Sequence, residues 1–470
     1  MKSTAELVWT WQLGLVLLLS ACQDADPPPA DAAATDRSGV SQGRVEPPDV
    51  PGHWRMVRLP NQTQDSSVEE SRDVARLRTL GYVAGSRAPG SFDAVTVYDP
   101  AQSYAGLNFY VSAHAPVAIL MDMKGEVLHR WELPVTRAWP DMPADQFQGE
   151  TKEFWRRAYL FENGDVLAIF AGIGLIKVDR NSNLIWAARN GAHHDLEVLP
   201  SGDIYVLTRR TRLVPEIHPE TPIRMDYISL LDSQGQTKRE YSVLDLLERR
   251  PGGELAKIEF RPEDVVLVEG DLLHTNTLCV LDDRAAHLSP AFAPGNILVS
   301  MRNISMIAVL DLENEQAVWG LRSPRGDSPQ GANRAELVFE LQHDPQIVAG
   351  GNLLLFDNLG QEGRSTIWEF HPLTREVAWF YRGTEERPFF TEFCGTVQRL
   401  PNGNTLITES ENGRAFEVSP EKEIVWEFYN PERAGEDGQF IAMIPELWRL
   451  PPDFPHDWAD SAPAAETSVE

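Results

Sequence analysis

The feature that most limits what this chain can fold into is a unit that recurs along it. The most regular copy is Leu400-Pro401-Asn402-Gly403-Asn404-Thr405-Leu406-Ile407-Thr408, a turn running into a β-rich stretch. Leu199-Pro200-Ser201-Gly202-Asp203-Ile204-Tyr205-Val206-Leu207 is a second. Asn163-Gly164-Asp165-Val166-Leu167, Pro294-Gly295-Asn296-Ile297-Leu298 and Gly350-Gly351-Asn352-Leu353-Leu354 are three more. Gly beside Asn or Asp is hairpin chemistry, because these residues tolerate positive φ. Most copies are followed by an apolar strand, a polar turn and a strand with Trp, as in Gly174 to Trp186, Ile307 to Trp319, Ile367 to Trp379 and Phe416 to Trp426. Ala118 to Trp131 matches this second half without a clear first half. Counting it, there are six units. Four strands per unit at a spacing of roughly 40–60 residues predict an all-β, six-bladed β-propeller. The period breaks at Arg209 to Pro222, Ser242 to Glu269 and Asp282 to Ala293, insertions suited to a rim over a central site.

The ends read differently. Leu13 to Leu19 is a short apolar run followed by Ser20-Ala21-Cys22. It is too short to span a bilayer and reads as a signal peptide over 1–21. Leu19-Ser20-Ala21-Cys22 resembles a lipobox, so Cys22 is the expected lipidation site, and the protein is expected to be exported and lipid-anchored to the bacterial cell envelope, in the periplasm or outer membrane. Residues 22–95 read as a disordered tether rich in Ala, Asp and Pro, plus a short helix over Glu69 to Leu80 with Val74, Leu77 and Leu80 on one face. The propeller is expected over 96–432, with a C-terminal tail over 433–470. Cys279 and Cys394 are expected to be unpaired. A net charge of -28 excludes a nucleic-acid partner, whose phosphates demand clustered Lys and Arg.

The Asn or Asp of each turn serves as a ruler. His194 stands nine residues before Asp203, and His343 nine before Asn352. His274 precedes Asn296 by 22, and removal of an insertion of about a dozen residues is expected to bring it into the same register. Arg156 and Gly395 stand nine before Asp165 and Asn404; Arg209, Arg302, Asn358 and Ser410 stand six after their rulers. In a propeller a shared register is a shared layer around one channel, so three of the chain's 11 histidines and an arginine converge.

Gly191-Ala192-His193-His194-Asp195, His274-Thr275-Asn276, Ser300-Met301-Arg302-Asn303, Gln342-His343-Asp344 and Leu355-Phe356-Asp357-Asn358, in this order, resemble the bacterial arylsulfotransferases (aryl-sulfate sulfotransferases) over about residues 100–430. The resemblance implies a six-bladed propeller that moves a sulfuryl group from an aryl sulfate to a phenol, without a nucleotide sulfate donor and with no metal or other cofactor. It implies catalytic roles for His343, His274, Arg302 and His194, with His343 the residue transiently sulfated. His193 is the other candidate for the remaining site histidine. Asn276, His193, Arg209 and Asn358 are expected to contact substrate. In chemical terms the His343 imidazole is a suitable nucleophile, Arg302 and a protonated His194 hold the sulfuryl oxygens, and His274 moves the phenolic proton. Two rival readings stand beside this one. His193, His194, Asp195, His274 and His343 can ligate a transition metal, although no tight His-Glu-x-x-His spacing is present. A non-catalytic propeller lipoprotein that binds a glycan or protein partner is the other.

Overall fold

The computed structural model describes residues 54–56, 94–143, 154–249, 260, 265–266, 268–323, 337–361, 364–434 and 440–459. The expected signal peptide, Cys22 and the helix over 69–80 lie outside these residues.

Six antiparallel sheets follow one another as the blades of a β-propeller. Blade 2 runs Arg157–Leu160, Val166–Phe170, Gly174–Val178 and Leu184–Ala188. Blades 3, 4 and 5 repeat this order from inner strands Ala192–Val198, Thr275–Val280 and His343–Ile347. Blade 6 runs from Thr396–Arg399 to Ile424–Tyr429 and gains Val95–Tyr98 as a fifth, outermost strand. The middle strands are apolar along their whole length because a neighbouring blade covers each face: Val117–Met121 and Val166–Phe170 are buried at every residue. The outer strands face water and alternate, as in Val127–Glu132.

The recurring Trp now has a physical reason. Trp131, at the edge of blade 1, donates its indole N–H to the Gly164 carbonyl of blade 2 (2.9 Å). Trp186 donates to Ser233 of blade 3 (3.1 Å), Trp379 to Pro420 of blade 6 (2.9 Å) and Trp426 to Met123 of blade 1 (2.9 Å). Trp131 and Trp426 are fully buried and Trp186 and Trp379 partly so, and in each the one polar group of the ring reaches a turn of the next blade.

Closure of the ring corrects an expectation. The propeller does not end at 432: Glu446–Leu450 is the inner strand of blade 1, paired with Leu107–Ser112. This is why the first unit lacks a recognisable first half. Its inner strand arrives from the other end of the chain, without the turn motif. Trp54–Met56, inside the segment read as tether, pairs with Phe440–Ala442, which pairs with Arg433–Ala434. The insertions also have structure. Residues 209–222 lengthen a hairpin, with Arg212 opposite Ile223; Ser242 caps the short helix Val243–Glu248; two 3-10 turns at Asp283–Ala285 and Pro290–Phe292 bury Phe292.

The six inner strands are tied into a continuous belt. Glu446 of blade 1 accepts from the Ala158 N–H of blade 2 (2.5 Å) and from Arg157 (2.8 Å). Arg157 also meets Asp195 of blade 3 (2.6 Å), and Asp195 accepts from the Leu278 N–H of blade 4 (2.9 Å). Thr277 of blade 4 accepts from the Asp344 N–H of blade 5 (3.0 Å), and Asp344 accepts from the Val397 N–H of blade 6 (2.7 Å). Gln398 of blade 6 exchanges two bonds with the Arg449 backbone, returning to blade 1 (2.8 and 3.0 Å). Burial pushes the Asp195 carboxyl up to about 6 and that of Asp344 to about 7, with Arg157 opposing both. This belt is the floor on which the candidate site stands.

Candidate active site

The register of the inner strands follows from their turns. In blades 2, 3, 4, 5 and 6 the backbone N–H of Phe161, Leu199, Leu281, Val348 and Leu400 bonds the ruler carbonyl of Asp165, Asp203, Asn296, Asn352 and Asn404. Five residues before these donors stand Arg156, His194, Asn276, His343 and Gly395. His194 and His343 thus stand at the same count from their turns, although the ladder shifts between Ala192 and Leu196 in one blade and between His343 and Gln346 in the other. In blade 4 the equivalent residue is Asn276, and His274 stands two residues earlier, which corrects the expected register. The insertion there is slightly shorter than supposed, and an extra residue bulges between Thr275 and Thr277. His274 still reaches the site: its ring lies 4.7 Å from that of His194. His194 and His274 both adopt left-handed backbone (φ 52 and 50), an unfavourable conformation for a β-carbon-bearing residue that serves here to turn each ring.

His343 is buried, with a fixed proton. Asn358 donates both amide hydrogens to backbone carbonyls, those of Thr391 (2.9 Å) and Cys394 (2.8 Å). That sets the amide orientation and leaves Oδ1 facing His343 Nδ1 at 2.8 Å. Oδ1 only accepts, so Nδ1 carries the hydrogen and Nε2 carries a lone pair. Burial, and next the charge of Arg302, hold the His343 imidazole well below its usual range; Arg156 and His274 act in the same direction, and only the Asn358 bond opposes them. His343 is thus neutral at neutral pH. Gly395, beside it, is required. A β-carbon there would sit 2.6 Å from the Phe356 ring, and its φ is 113.

Arg302 is half-buried with no carboxylate within ion-pair distance among the described residues. It donates to Asn303 Oδ1 (3.1 Å), and its guanidinium lies 5.5 Å from the ring centre of Phe393, a largely exposed aromatic. Burial draws its pKa down. A sequestered arginine with this little compensation favours an incoming anion.

His274 Nδ1 bonds Asp271 Oδ2 at 2.7 Å. Burial raises the Asp271 pKa, but the His274 bond and charge, with Arg209 and Arg224, outweigh it and keep the group ionised. An acceptor-only carboxylate keeps a hydrogen on Nδ1 and frees Nε2 for proton exchange. Asp271 was not anticipated from the sequence, since it lies at the end of an irregular insertion, although its i, i+3 spacing to His274 was there to read. Arg209, expected to contact substrate, is engaged with Asp226 (3.2 Å) and Asp271 (3.4 Å). His193 is buried behind His194, with their Nδ1 atoms 2.9 Å apart and its Nε2 3.6 Å from Asp226. Asn276 donates to the carbonyl of Gln342, the residue before His343 (2.8 Å). His193, Arg209 and Asn358 thus brace His194, Asp271 and His343, and Asn276 holds the backbone just before His343. His194 departs from the expected cation: burial first, then the charges of His274 and Arg156, hold its pKa well below the usual range, so it is neutral.

A cavity of about 480 Å³, lined in part by Gly172, Arg189, Asn190 and Arg210, shares only Arg209 with this cluster and lies apart from His343. Among the described residues no three His, Cys, Asp or Glu side chains are grouped to hold a metal ion. Cys279 and Cys394 are free.

The fold and site together define a six-bladed propeller with a His-Arg cluster gathered along its inner strands. The family model described as "Arylsulfotransferase (ASST)" matches residues 157–431, and the chain belongs to that family. No curated protein sequence matches it. Solved structures similar to it include a protein of unknown function from Bacteroides caccae (12% identity, 73% of this chain and 98% of that one, TM-score 0.43). A streptogramin B lyase (12%, 76% and 96%, 0.38) and BamB from Moraxella catarrhalis (11%, 76% and 96%, 0.34) are similar at a comparable level. These likenesses are too remote to bear on chemistry.

Proposed function

We propose that the protein transfers a sulfuryl group from an aryl sulfate to a phenolic acceptor through a sulfated His343, independently of a nucleotide donor. The observation that carries this reading is the Asn358 bond, which holds His343 as the tautomer whose Nε2 lone pair is free. Family membership supports the reaction class.

In the first step Nε2 attacks sulfur, the N–S bond forms and the S–O bond to the aryl group breaks. Arg302 lies against the sulfuryl oxygens, where a charge-assisted contact strengthens as negative charge shifts during transfer. His274, doubly protonated beside the Asp271 carboxylate, gives its Nε2 proton to the departing phenolate. In the second step neutral His274 takes the proton of the acceptor phenol, whose oxygen attacks sulfur; the N–S bond breaks and His343 regains its lone pair. Asp271 orients His274 and balances its charge, the part a buried carboxylate plays in a nucleophile–base–acid chain.

The test is steady-state kinetics with a chromogenic aryl sulfate and a phenol, both varied. Parallel double-reciprocal lines, lost in His343→Asn with folding intact, are expected. Absence of phenol-dependent release across a panel of donors and acceptors overturns the assignment.

A further inference from the structure

The chain carries 70 acidic against 42 basic residues, so an arginine near its channel should find a carboxylate readily. Most do. Arg157 is shared between Asp195 and Glu446, Arg209 between Asp226 and Asp271, Arg414 between Glu409 and Glu427, and Arg449 is buried on Glu417. Arg156 is different. Its backbone N–H joins blade 2 through the Ile169 carbonyl, and its side chain is half-buried, yet no described carboxylate lies within ion-pair distance of it.

Its place is defined by the register. Arg156 stands five residues before Phe161, the same count that separates His194 from Leu199 and His343 from Val348, at the start of an unbroken inner strand in which Arg157 faces Ile169. Its charge bears on both His194 and His343, depressing each. Yet it cannot duplicate Arg302. The belt of inner-strand bonds orders the blades 1 to 6, which sets blade 2 opposite blade 5. Arg302 comes from blade 4, next to the blade of His343. Arg156 comes from the far wall, next to the blade of His194. Arg302 thus stands beside the blade of His343, and Arg156 faces it from the opposite wall.

We propose that Arg156 recognises a second anionic group on the substrate, so that the preferred donor is the sulfate ester of a phenol bearing a ring carboxylate or sulfonate. This rests on the transfer reaction proposed above and adds to it the class of phenol. A guanidinium with no carboxylate partner among the described residues is the driving force: a charge-assisted bond in a partly desolvated site contributes discrimination of roughly ten- to hundredfold.

The experiment compares three donors, the sulfate esters of 4-hydroxybenzoate, its methyl ester and 4-methylphenol. The methyl ester has the best leaving group, so chemistry alone ranks it first. Recognition by Arg156 predicts the reverse: kcat/KM highest for the carboxylate, by roughly tenfold or more over both neutral donors. Arg156→Gln should erase that advantage chiefly by raising KM for the carboxylate donor, and Arg156→Lys should restore part of it. A wild-type preference for the methyl ester overturns the proposal. So does an equal loss on all three donors in Arg156→Gln, which would place Arg156 at the sulfuryl group. If the wild type turns over no aryl sulfate, the reaction has failed, and calorimetric binding of 4-hydroxybenzoate against 4-methylphenol decides this proposal by itself. Tighter binding of the carboxylate that is lost in Arg156→Gln supports it, and equal binding overturns it.

Discussion

Asn358 carries two duties, and its replacement separates them. It is fully buried, accepts one bond from His343 and donates two to the loop carrying Phe393. Asn358→Leu keeps the bulk and removes all three bonds. The Cys394 carbonyl and one imidazole N–H lose their partner, while the Thr391 carbonyl keeps the Ser365 hydroxyl (3.2 Å); at about 1–3 kcal/mol for each buried orphan, and with the Cys394 carbonyl able to find water, the fold should lose about 1–3 kcal/mol. The catalytic cost is larger in proportion. With Nδ1 unrestrained, His343 can place its hydrogen on Nε2, and a wrong tautomer in a buried catalytic histidine costs up to about 10⁴-fold in rate. A fall in kcat/KM of about 10²- to 10⁴-fold is expected. Asn358→Asp discriminates further. It still accepts from Nδ1–H but cannot donate to the two carbonyls, so it should lose stability comparably while keeping more activity than the Leu variant. Its carboxylate should also raise the His343 pKa. Protonated His343 has no lone pair, so the rate of this variant should fall with acidification at a higher pH than in the wild type. Denaturant midpoints and pH–rate profiles on the three proteins make the comparison. A stable Asn358→Leu enzyme with near-normal kcat/KM, or an Asp variant less active than the Leu variant at equal folded fraction, refutes the reasoning.

Three further outcomes are expected. His274→Ala should slow transfer most from donors with basic leaving phenols and least from activated aryl sulfates, because only the former need the proton; a uniform loss across leaving groups would remove His274 from proton transfer. Deleting residues 446–470 should abolish cooperative folding, since blade 1 loses its inner strand and the fully buried Arg449–Glu417 pair leaves a carboxylate with no opposing charge, worth about 3–5 kcal/mol; a folded 446–470 deletion would contradict the closure. Cys22→Ser should shift the protein from the membrane to the soluble fraction or block its processing; unchanged fractionation with an unmodified N-terminal peptide would rule out the anchor.

The repeat was legible because two pieces of chemistry recur in nearly every blade: a Gly-Asn or Gly-Asp turn that needs positive φ, and a Trp that reaches the next blade's backbone. Blade 1 was half-hidden because its inner strand is recruited from Glu446–Leu450, and strand pairing across 340 residues leaves no local signal. His194, His343 and Arg302 could be found by counting from the turns. Counting failed by two residues at His274, where an insertion between Leu281 and Asn296 interrupts the turn. It could not rank the polar residues by role either. Asn276, Arg209 and His193 look alike in a string of letters, and only the structure shows which protein groups each of them meets. Asp271 escaped because its insertion has no period to count from.

The central claim is that His343 carries the sulfuryl group between donor and acceptor. Intact-protein mass after incubation with an aryl sulfate alone tests it most directly, with Asn358→Leu and His343→Asn run alongside. The account predicts a gain of one SO3 in the wild type that maps to His343, disappears on addition of a phenol, accumulates slowly in Asn358→Leu and is absent from His343→Asn. Full turnover in the His343→Asn protein, or a sulfuryl adduct on another residue that discharges to phenol at the catalytic rate, would contradict it.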